Sequence, residues 1–263
     1  MPYENILFEV SDGIGVLTFN RPRALNALNP KTLDELSDVV DRVGADNGIR
    51  VLVLTGAGER AFVAGADISE FPKMNPLQAR IFAERGQEVF FKLEQLPKPV
   101  IACVNGFTLG GGCELAMSCD FVYASENARF GQPEVNLGIM PGFGGTQRLA
   151  RLVGRAVAKE LCMTGETIDA QRAKEIGLVS KVFPADRLVE ETMKTAKTLA
   201  SKGPAVLRSI KQVINRGLDV DLRSGCALEA EAFGVCFAGQ DSKEGVSAFL
   251  EKRKPDFRGT LES

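Results

Sequence analysis

Val100-Ile101-Ala102-Cys103-Val104-Asn105-Gly106-Phe107-Thr108-Leu109-Gly110-Gly111-Gly112-Cys113-Glu114 is the stretch on which the reading of this chain turns. Its first five residues form an unbroken apolar run, as long as a strand buried on both faces of a sheet. The glycine run then opens a helix predicted from Gly110 to about Cys119, and Phe121 to Ala124 returns as a strand. Strand, glycine turn, helix and strand in that order point to an α/β fold.

The same alternation extends toward the N-terminus. Ile6 to Val10 and Gly15 to Phe19 bracket Asp12-Gly13 as a hairpin. Asn29-Pro30 caps a helix carrying Leu33, Leu36, Val40 and Val43 and stopped by Gly44, and Val51 to Leu54 is a short buried strand. A second helix starts at Asn75-Pro76 and runs toward Leu96, where Pro97 and Pro99 break it. Phe130-Gly131 is a further short extended segment. Beyond about residue 150 strands nearly vanish and amphipathic helices take over. After Gly203-Pro204, residues Val206, Leu207, Ile210, Val213 and Ile214 mark one helical face, and Gly217 ends it. Asp241-x-x-Glu244 reads as a capping box opening the last helix. The expected division is a core over residues 1–198 and a helical region over 199–263. Leu228, Phe233, Phe237 and Phe249 on the faces of that region suit an intramolecular lid, an oligomer interface, or both.

Composition narrows the function. With 32 basic and 34 acidic residues among 263, the net charge of -2 gives no overall attraction to nucleic acid or anionic lipid. The six cysteines contain no C-x-x-C pair and lie mostly in apolar surroundings, so reduced thiols, a cytoplasmic location and no metal site are expected. Met1 to Asn5 lacks a basic segment followed by an apolar run, and no stretch reaches the roughly 18 apolar residues of a membrane span, so neither secretion nor membrane insertion is expected. The chain has no histidine. The commonest general base is therefore absent, and proton transfer near neutral pH falls to carboxylates, cysteines or lysines.

Glu114 and Glu134 are the leading candidates, each closing a motif that shapes its backbone: Gly110-Gly111-Gly112-Cys113-Glu114 and Phe130-Gly131-Gln132-Pro133-Glu134. A helix opening at Gly110 to Gly112 offers unpaired N–H groups, and its glycines let a substrate carbonyl approach closely. Glu114, about one turn in, then sits where an acid or base for the adjacent carbon is needed. The blander reading is that the glycines serve tight packing and Glu114 is solvated. Phe62-Val63-Ala64-Gly65-Ala66-Asp67-Ile68 is either a packing segment or an extended backbone lending another N–H. Gly142-Phe143-Gly144-Gly145-Thr146 either cradles a phosphate or simply turns, and it lacks the Lys of a P-loop.

Five segments then line up in order: Arg21-Pro22-Arg23-Ala24-Leu25-Asn26-Ala27-Leu28, Ala64-Gly65-Ala66-Asp67-Ile68, Asn105-Gly106 through Glu114, Phe130 through Glu134, and Pro141 through Leu149. Over essentially its whole length the chain resembles the enoyl-CoA hydratase/isomerase (crotonase) family, and most of all a short-chain enoyl-CoA hydratase. The resemblance implies a spiral of ββα units with a C-terminal helical region that trimerises, commonly into a dimer of trimers. It implies an acyl-CoA substrate, with coenzyme A part of that substrate and no separate cofactor. Residue by residue, the N–H groups of Ala66 and Gly111 would form an oxyanion hole for the thioester oxygen. Glu114 would activate water for attack at C3, and Glu134 would protonate C2. Arg23, Ala24 and Leu25 would line the CoA arm, Ala64 and Ile68 its adenine, with Gly65 and Asp67 between them, and Gly142 the acyl end. Phe249 and Lys252 resemble residues that reach a CoA from a neighbouring subunit. Many hydratases carry Lys after Ala-Asp-Ile, whereas this chain has Ser69.

The resemblance thus implies reversible syn hydration of a trans-2-enoyl-CoA to a 3-hydroxyacyl-CoA. Family members that only shift a double bond, or hydrate a functionalised acyl group, are the nearest alternatives, and both glutamates favour hydration. An RNA-binding relative is a distant alternative, which the balanced charge and the absence of Trp disfavour. A nicotinamide enzyme rests on Gly56-Ala57-Gly58-Glu59-Arg60-Ala61 after a strand, a match to G-x-G-x-x-A that no clear helix follows. Phe82, Phe90, Phe91, Leu137 and Phe143 either shape the acyl end or are plain core.

Overall fold

In the computed structural model, which describes residues 3–260, ten strands form two sheets. Met1 and Pro2 of the N-terminal segment read above lie outside the described residues. Strands β1 (Ile6–Ser11) and β2 (Ile14–Phe19) are the expected hairpin; Asp12 and Gly13 both have positive φ, as a two-residue type I′ turn requires. Helix α1 (Pro30–Ala45) starts on the Asn29 cap, whose side chain accepts from the Thr32 N–H at 2.8 Å. It buries Leu33, Leu36, Val40 and Val43 as the 3.6-residue period predicts, and Gly44 lies inside its last turn rather than ending it.

From there the chain repeats one unit. A strand in the large sheet is followed by a short strand in the small sheet and then a helix: β3 (Val51–Gly56), β4 (Ala61–Val63) and α2 (Pro76–Gln95); β5 (Val100–Val104), β6 (Phe107–Leu109) and α3 (Gly111–Met117); β7 (Phe121–Ser125), β8 (Arg129–Gly131) and α4 (Gly145–Val153). Up to β8 the large sheet runs β1-β2-β3-β5-β7 and the small one β4-β6-β8, with every pair parallel except the β1–β2 hairpin; the strand that later joins β8 is antiparallel to it. This is the spiral of ββα units expected above. Because β4 follows β3 directly, where a dinucleotide-binding unit needs a helix, the Gly56–Ala61 match has the wrong context.

After α5 (Arg155–Thr164), two three-residue strands, β9 (Thr167–Asp169) and β10 (Lys181–Phe183), close the edges of the small and large sheets around α6 (Ala170–Glu175). Helix α7 (Leu188–Ala200) packs on the large sheet through Leu188 and Ala196. The remaining helices are α8 (Pro204–Gly217), α9 (Leu222–Cys236) and α10 (Gln240–Leu250). Lys211 ties α8 to the core, donating to Asp120 at 2.9 Å and to the carbonyls of Leu93 and Lys98 at 3.1 and 3.2 Å. The last helix begins differently from the reading above. Its cap is Gly239, and Asp241 and Glu244 turn away from the helix start to hold the tail: Asp241 accepts from the N–H groups of Arg258 and Gly259, Glu244 from Arg253 and the Asp256 N–H. The following segment competes for these carboxylates more effectively than the helix's own amides.

The close fit of α3 against β4 sets the position of the site. A methyl on Gly112 would overlap the Val63 carbonyl oxygen, main chain that cannot swing away. Gly112→Ala is expected to destabilise the fold by about 3 kcal/mol, the upper range for overpacking, and to lower Tm by about 10 °C in a thermal melt; an unchanged Tm contradicts this packing.

Candidate active site

Glu114 sits in α3 with its carboxylate buried, and Glu134 sits in the 3-10 turn Pro133–Leu137 that follows β8. Adjacent parallel strands β6 and β8 carry the two residues to the same end of the small sheet, where the Gly110 N–H donates to the Gly131 carbonyl at 2.9 Å. Gln132 lies between them, fully buried. With its amide nitrogen toward Glu134, the orientation that satisfies both groups, it donates to both carboxylate oxygens at 3.1 and 3.2 Å. Only a glycine fits at position 110, whose φ is +49° and where a Cβ would stand 2.7 Å from Glu134 Oε1.

The Gly142–Thr146 loop does something that neither reading of it anticipated. Its Phe143 and Gly145 N–H groups both donate to Glu114 Oε1, at 2.9 and 2.6 Å. The loop cradles an anion, and the anion is this chain's own carboxylate. Burial first, and then the neighbouring Glu134 charge, push the Glu114 carboxyl up to about 7, against the two amides and the Arg148 guanidinium, which hold it down. Burial likewise raises the Glu134 carboxyl. Burial also raises the Cys113 thiol far above its ordinary range, so this neighbour in α3 stays neutral.

At the start of α3 lie two main-chain donors. The Gly111 N–H, at the start of the helix, and the Ala66 N–H find no acceptor among the described residues. They are close together: a Cβ built on Gly111 would fall 3.5 Å from the Ala66 nitrogen and 3.2 Å from the Phe143 ring. The Ala66 segment is pinned along its length. Leu28 N–H donates to the Gly65 carbonyl at 2.9 Å, Asp67 N–H to the Leu28 carbonyl at 2.8 Å, and Ala64 N–H to the Leu25 carbonyl at 3.0 Å. Asp67 is braced on both oxygens, by Arg21 at 2.9 Å and by the Ser69 hydroxyl at 2.8 Å, and these bonds, Ser69's foremost, hold its carboxyl below the usual range. Ser69 thus has a local partner in Asp67.

The structure brings Leu25, Ala64, Gly65, Ala66 and Asp67 together beside Gly111. Arg23 and Ala24 stand exposed on the adjoining 3-10 turn Pro22–Ala24, and Ile68 is exposed at the far end of the same segment. Gly142 begins the loop under Glu114, with its carbonyl accepting from Gln87 at 2.8 Å. Of the candidate acyl-end aromatics, Phe143 is buried beside Gly111 and packs on Phe82 and Phe90; Phe90 is fully buried, whereas Phe91 and Leu137 are exposed. Phe249 is 82% exposed and Lys252 follows α10; no hydrogen bond or ring contact joins either to Glu114 or Glu134 among the described residues. Sequence reasoning missed Asn26, Gln132 and Arg148. Asn26, in a left-handed conformation, is buried and donates to the carbonyls of Ala57 and Ala61 while accepting from the Arg21 N–H, so it fixes the loop that carries Leu25. An asparagine inside an otherwise apolar run was the available signal.

The raised Glu114 carboxyl has a consequence for stability. A carboxyl at 4.5 when unfolded and about 7 when folded leaves stability unaffected below pH 4.5; its penalty grows as pH rises through that window and is complete above pH 7. Glu114→Gln removes the penalty. Apart from a pH-independent offset, the variant is expected to gain on the wild type by up to about 3 kcal/mol between pH 4 and pH 8 in urea unfolding; parallel pH profiles contradict the burial argument.

The enoyl-CoA hydratase/isomerase family model matches residues 9–260. The chain is 52% identical to a crotonyl-CoA hydratase of Syntrophomonas wolfei over 98% of this chain and 99% of that one. It is also 52% identical to a short-chain-enoyl-CoA hydratase of Clostridium acetobutylicum over 97% of each. An enoyl-CoA hydratase from Bacillus anthracis, 43% identical, superposes with a TM-score of 0.94 over 97% of this chain and all of that one. The ordered motifs, the ββα spiral and these likenesses make the chain a member of the enoyl-CoA hydratase/isomerase family.

Proposed function

We propose that this chain hydrates short trans-2-enoyl-CoA thioesters reversibly, with Glu114 and Glu134 as the acid–base pair and the Ala66 and Gly111 N–H groups as the oxyanion hole. The observation that carries the reading is the convergence of two carboxylates, both raised above their usual range, beside two main-chain N–H groups without an acceptor. Ionised Glu114 takes a proton from water as the water oxygen bonds to C3. The C2–C3 π electrons shift toward the thioester, whose oxygen gains negative charge against the two N–H donors. Protonated Glu134 then gives its proton to C2, completing a 3-hydroxyacyl-CoA, and one proton returns between the carboxylates. The two carboxyls titrate as a coupled pair, and the reaction starts from the form that carries one proton, on Glu134. Each oxyanion donor lowers the barrier by roughly 3 kcal/mol. An isomerase needs only one carboxylate to move a proton, so the second favours hydration.

No cofactor is required beyond the CoA of the substrate. Arg23, Ala24, Leu25, Ala64 and Ile68 are read as lining the CoA arm, with Phe249 and Lys252 reaching a neighbouring subunit's site. An assembly of three chains, or two such trimers, is what the family resemblance implies, and the apolar residues that the C-terminal helices expose, among them Ile214, Leu218, Leu222, Phe233, Phe237 and Phe249, would supply its contacts. A cytoplasmic setting fits the six free cysteines, and no helix among the described residues is long and apolar enough to cross a membrane.

Crotonyl-CoA should lose its ultraviolet absorbance on addition of the protein. Glu114→Gln and Glu134→Gln should each lower kcat by about 10²- to 10⁴-fold, and Gly111→Val should abolish turnover by crowding Phe143 and Ala66. Hydration that survives loss of Glu134 overturns the two-carboxylate reading. Sedimentation should give three or six times the 28.3 kDa chain mass; a monomer overturns the assembly.

A further inference from the structure

Three successive peptide planes form the loop beneath Glu114, and each is fixed from its carbonyl side. The Gly142 carbonyl accepts from Gln87 Nε2 at 2.8 Å, and the N–H of that same peptide, on Phe143, donates to Glu114. The Phe143 carbonyl accepts from Arg148 Nη1 at 2.7 Å. The Gly144 carbonyl accepts from the Arg148 and Gln147 N–H groups at the start of α4, and the N–H of that peptide, on Gly145, is the second donor to Glu114. Planarity transmits each constraint from carbonyl to amide. Arg148 is itself immobilised: Nε and Nη2 donate to the two oxygens of Glu94 at 2.6 and 3.1 Å, and the guanidinium lies over the rings of Phe91 and Phe90 at 5.1 and 5.9 Å. Its side chain is 9% exposed, and the bidentate fork is a geometry that lysine cannot reproduce. The outcome is asymmetric. Glu114 Oε1 takes both amides, and Oε2 accepts no hydrogen bond among the described residues.

We propose that Arg148, anchored on Glu94, and Gln87 are positioning residues that lock the Gly142–Gly145 peptide planes, so that Glu114 is held by Oε1 and presents Oε2 to the reacting water. Neither side chain hydrogen-bonds to Glu114 among the described residues, and helix α2, which supplies Gln87 and Glu94, becomes part of the catalytic apparatus. This rests on the hydratase reading only for the identity of the water. The charged and titratable groups around Glu114 are Glu134 on the turn after β8, Arg148 on α4, Cys113 beside it on α3 and Cys162 on α5. Of these, only Arg148 is positive. Loss of its guanidinium therefore removes charge and loosens the donors together, and both effects raise the pH at which Glu114 ionises; loss of Gln87 loosens a donor without changing charge.

The test is a titration of Glu114 itself in the full-length protein labelled with ¹³Cδ-glutamate, the Glu114 resonance being the one missing in Glu114→Gln. The Glu114 midpoint is expected to move up by about one pH unit in Arg148→Met and by a smaller step in the same direction in Gln87→Met; Arg148→Lys, keeping charge without the fork, falls between wild type and Arg148→Met. With crotonyl-CoA, kcat should fall by about 10- to 100-fold while KM stays within about threefold, and the acid limb of the kcat profile should move up with the midpoint. Added guanidinium ion should restore part of the activity of Arg148→Ala. An unmoved midpoint in folded variants overturns the proposal, as does activity lost only in proportion to unfolded protein. If Arg148→Met does not fold, Arg148→Lys and Gln87→Met decide the matter. A wild type that leaves crotonyl-CoA unchanged defeats the hydratase reading, while the titration still decides the positioning.

Discussion

Glu114 is a carboxylate placed where a charge is expensive: removed from water, with a second carboxylate nearby and no cation in direct contact. Such a group stays ionisable near neutral pH only if something fixed replaces the lost water. Here two main-chain N–H groups do so, and they come from a loop that joins the chain far from Glu114 in sequence. Much of the surrounding structure follows from that requirement. The loop must be rigid, which Gln87 and Arg148 accomplish from α2 and α4. It must also approach α3 closely, and Gly145 permits this, since a side chain there would stand 2.8 Å from Glu114 Oε1.

The ββα repeat meets these demands by stacking equivalent positions. Each pass through the small sheet ends at the same edge: β4 leads to Ala66, β6 to Gly111 and Glu114, and β8 to Glu134. Three consecutive units thus deliver the Ala66 amide, the Gly111 amide with Glu114, and Glu134 to neighbouring points. Both carboxylates stand on rigid elements, while the two N–H groups are main chain and cannot be lost by a change of side chain alone. The proposed chemistry depends on backbone position, which is why overlap at Gly112, between Gly111 and Glu114 on α3, matters for the site.

The local features were legible because their causes are local. Asn29-Pro30 and Asn75-Pro76 cap helices through their own side chains, Asp12-Gly13 supplies two positive φ angles, and the run Val100–Val104 is apolar on both faces. The two glutamates and the glycine run were legible for the same reason. The destination of the Gly142–Thr146 loop was not, because its partner is Glu114 and nothing in its own residues names that partner. Arg148 looks on paper like any arginine on an amphipathic helix; its burial against Phe90 and its pairing with Glu94 are tertiary facts. Asp241 and Glu244 show the opposite failure. Their spacing satisfies a local rule, and a segment about a dozen residues later wins both carboxylates.

In the proposed reaction the reacting carbons lie between two carboxylates and the thioester oxygen on two amides. A crystal structure with butanoyl-CoA, a saturated thioester that cannot be hydrated, tests this directly. The proposed hydration requires the thioester oxygen within about 3 Å of both the Ala66 and Gly111 nitrogens, with Glu114 Oε2 and Glu134 facing C3 and C2. A thioester bound elsewhere, or with its oxygen turned away from both amides, would contradict it.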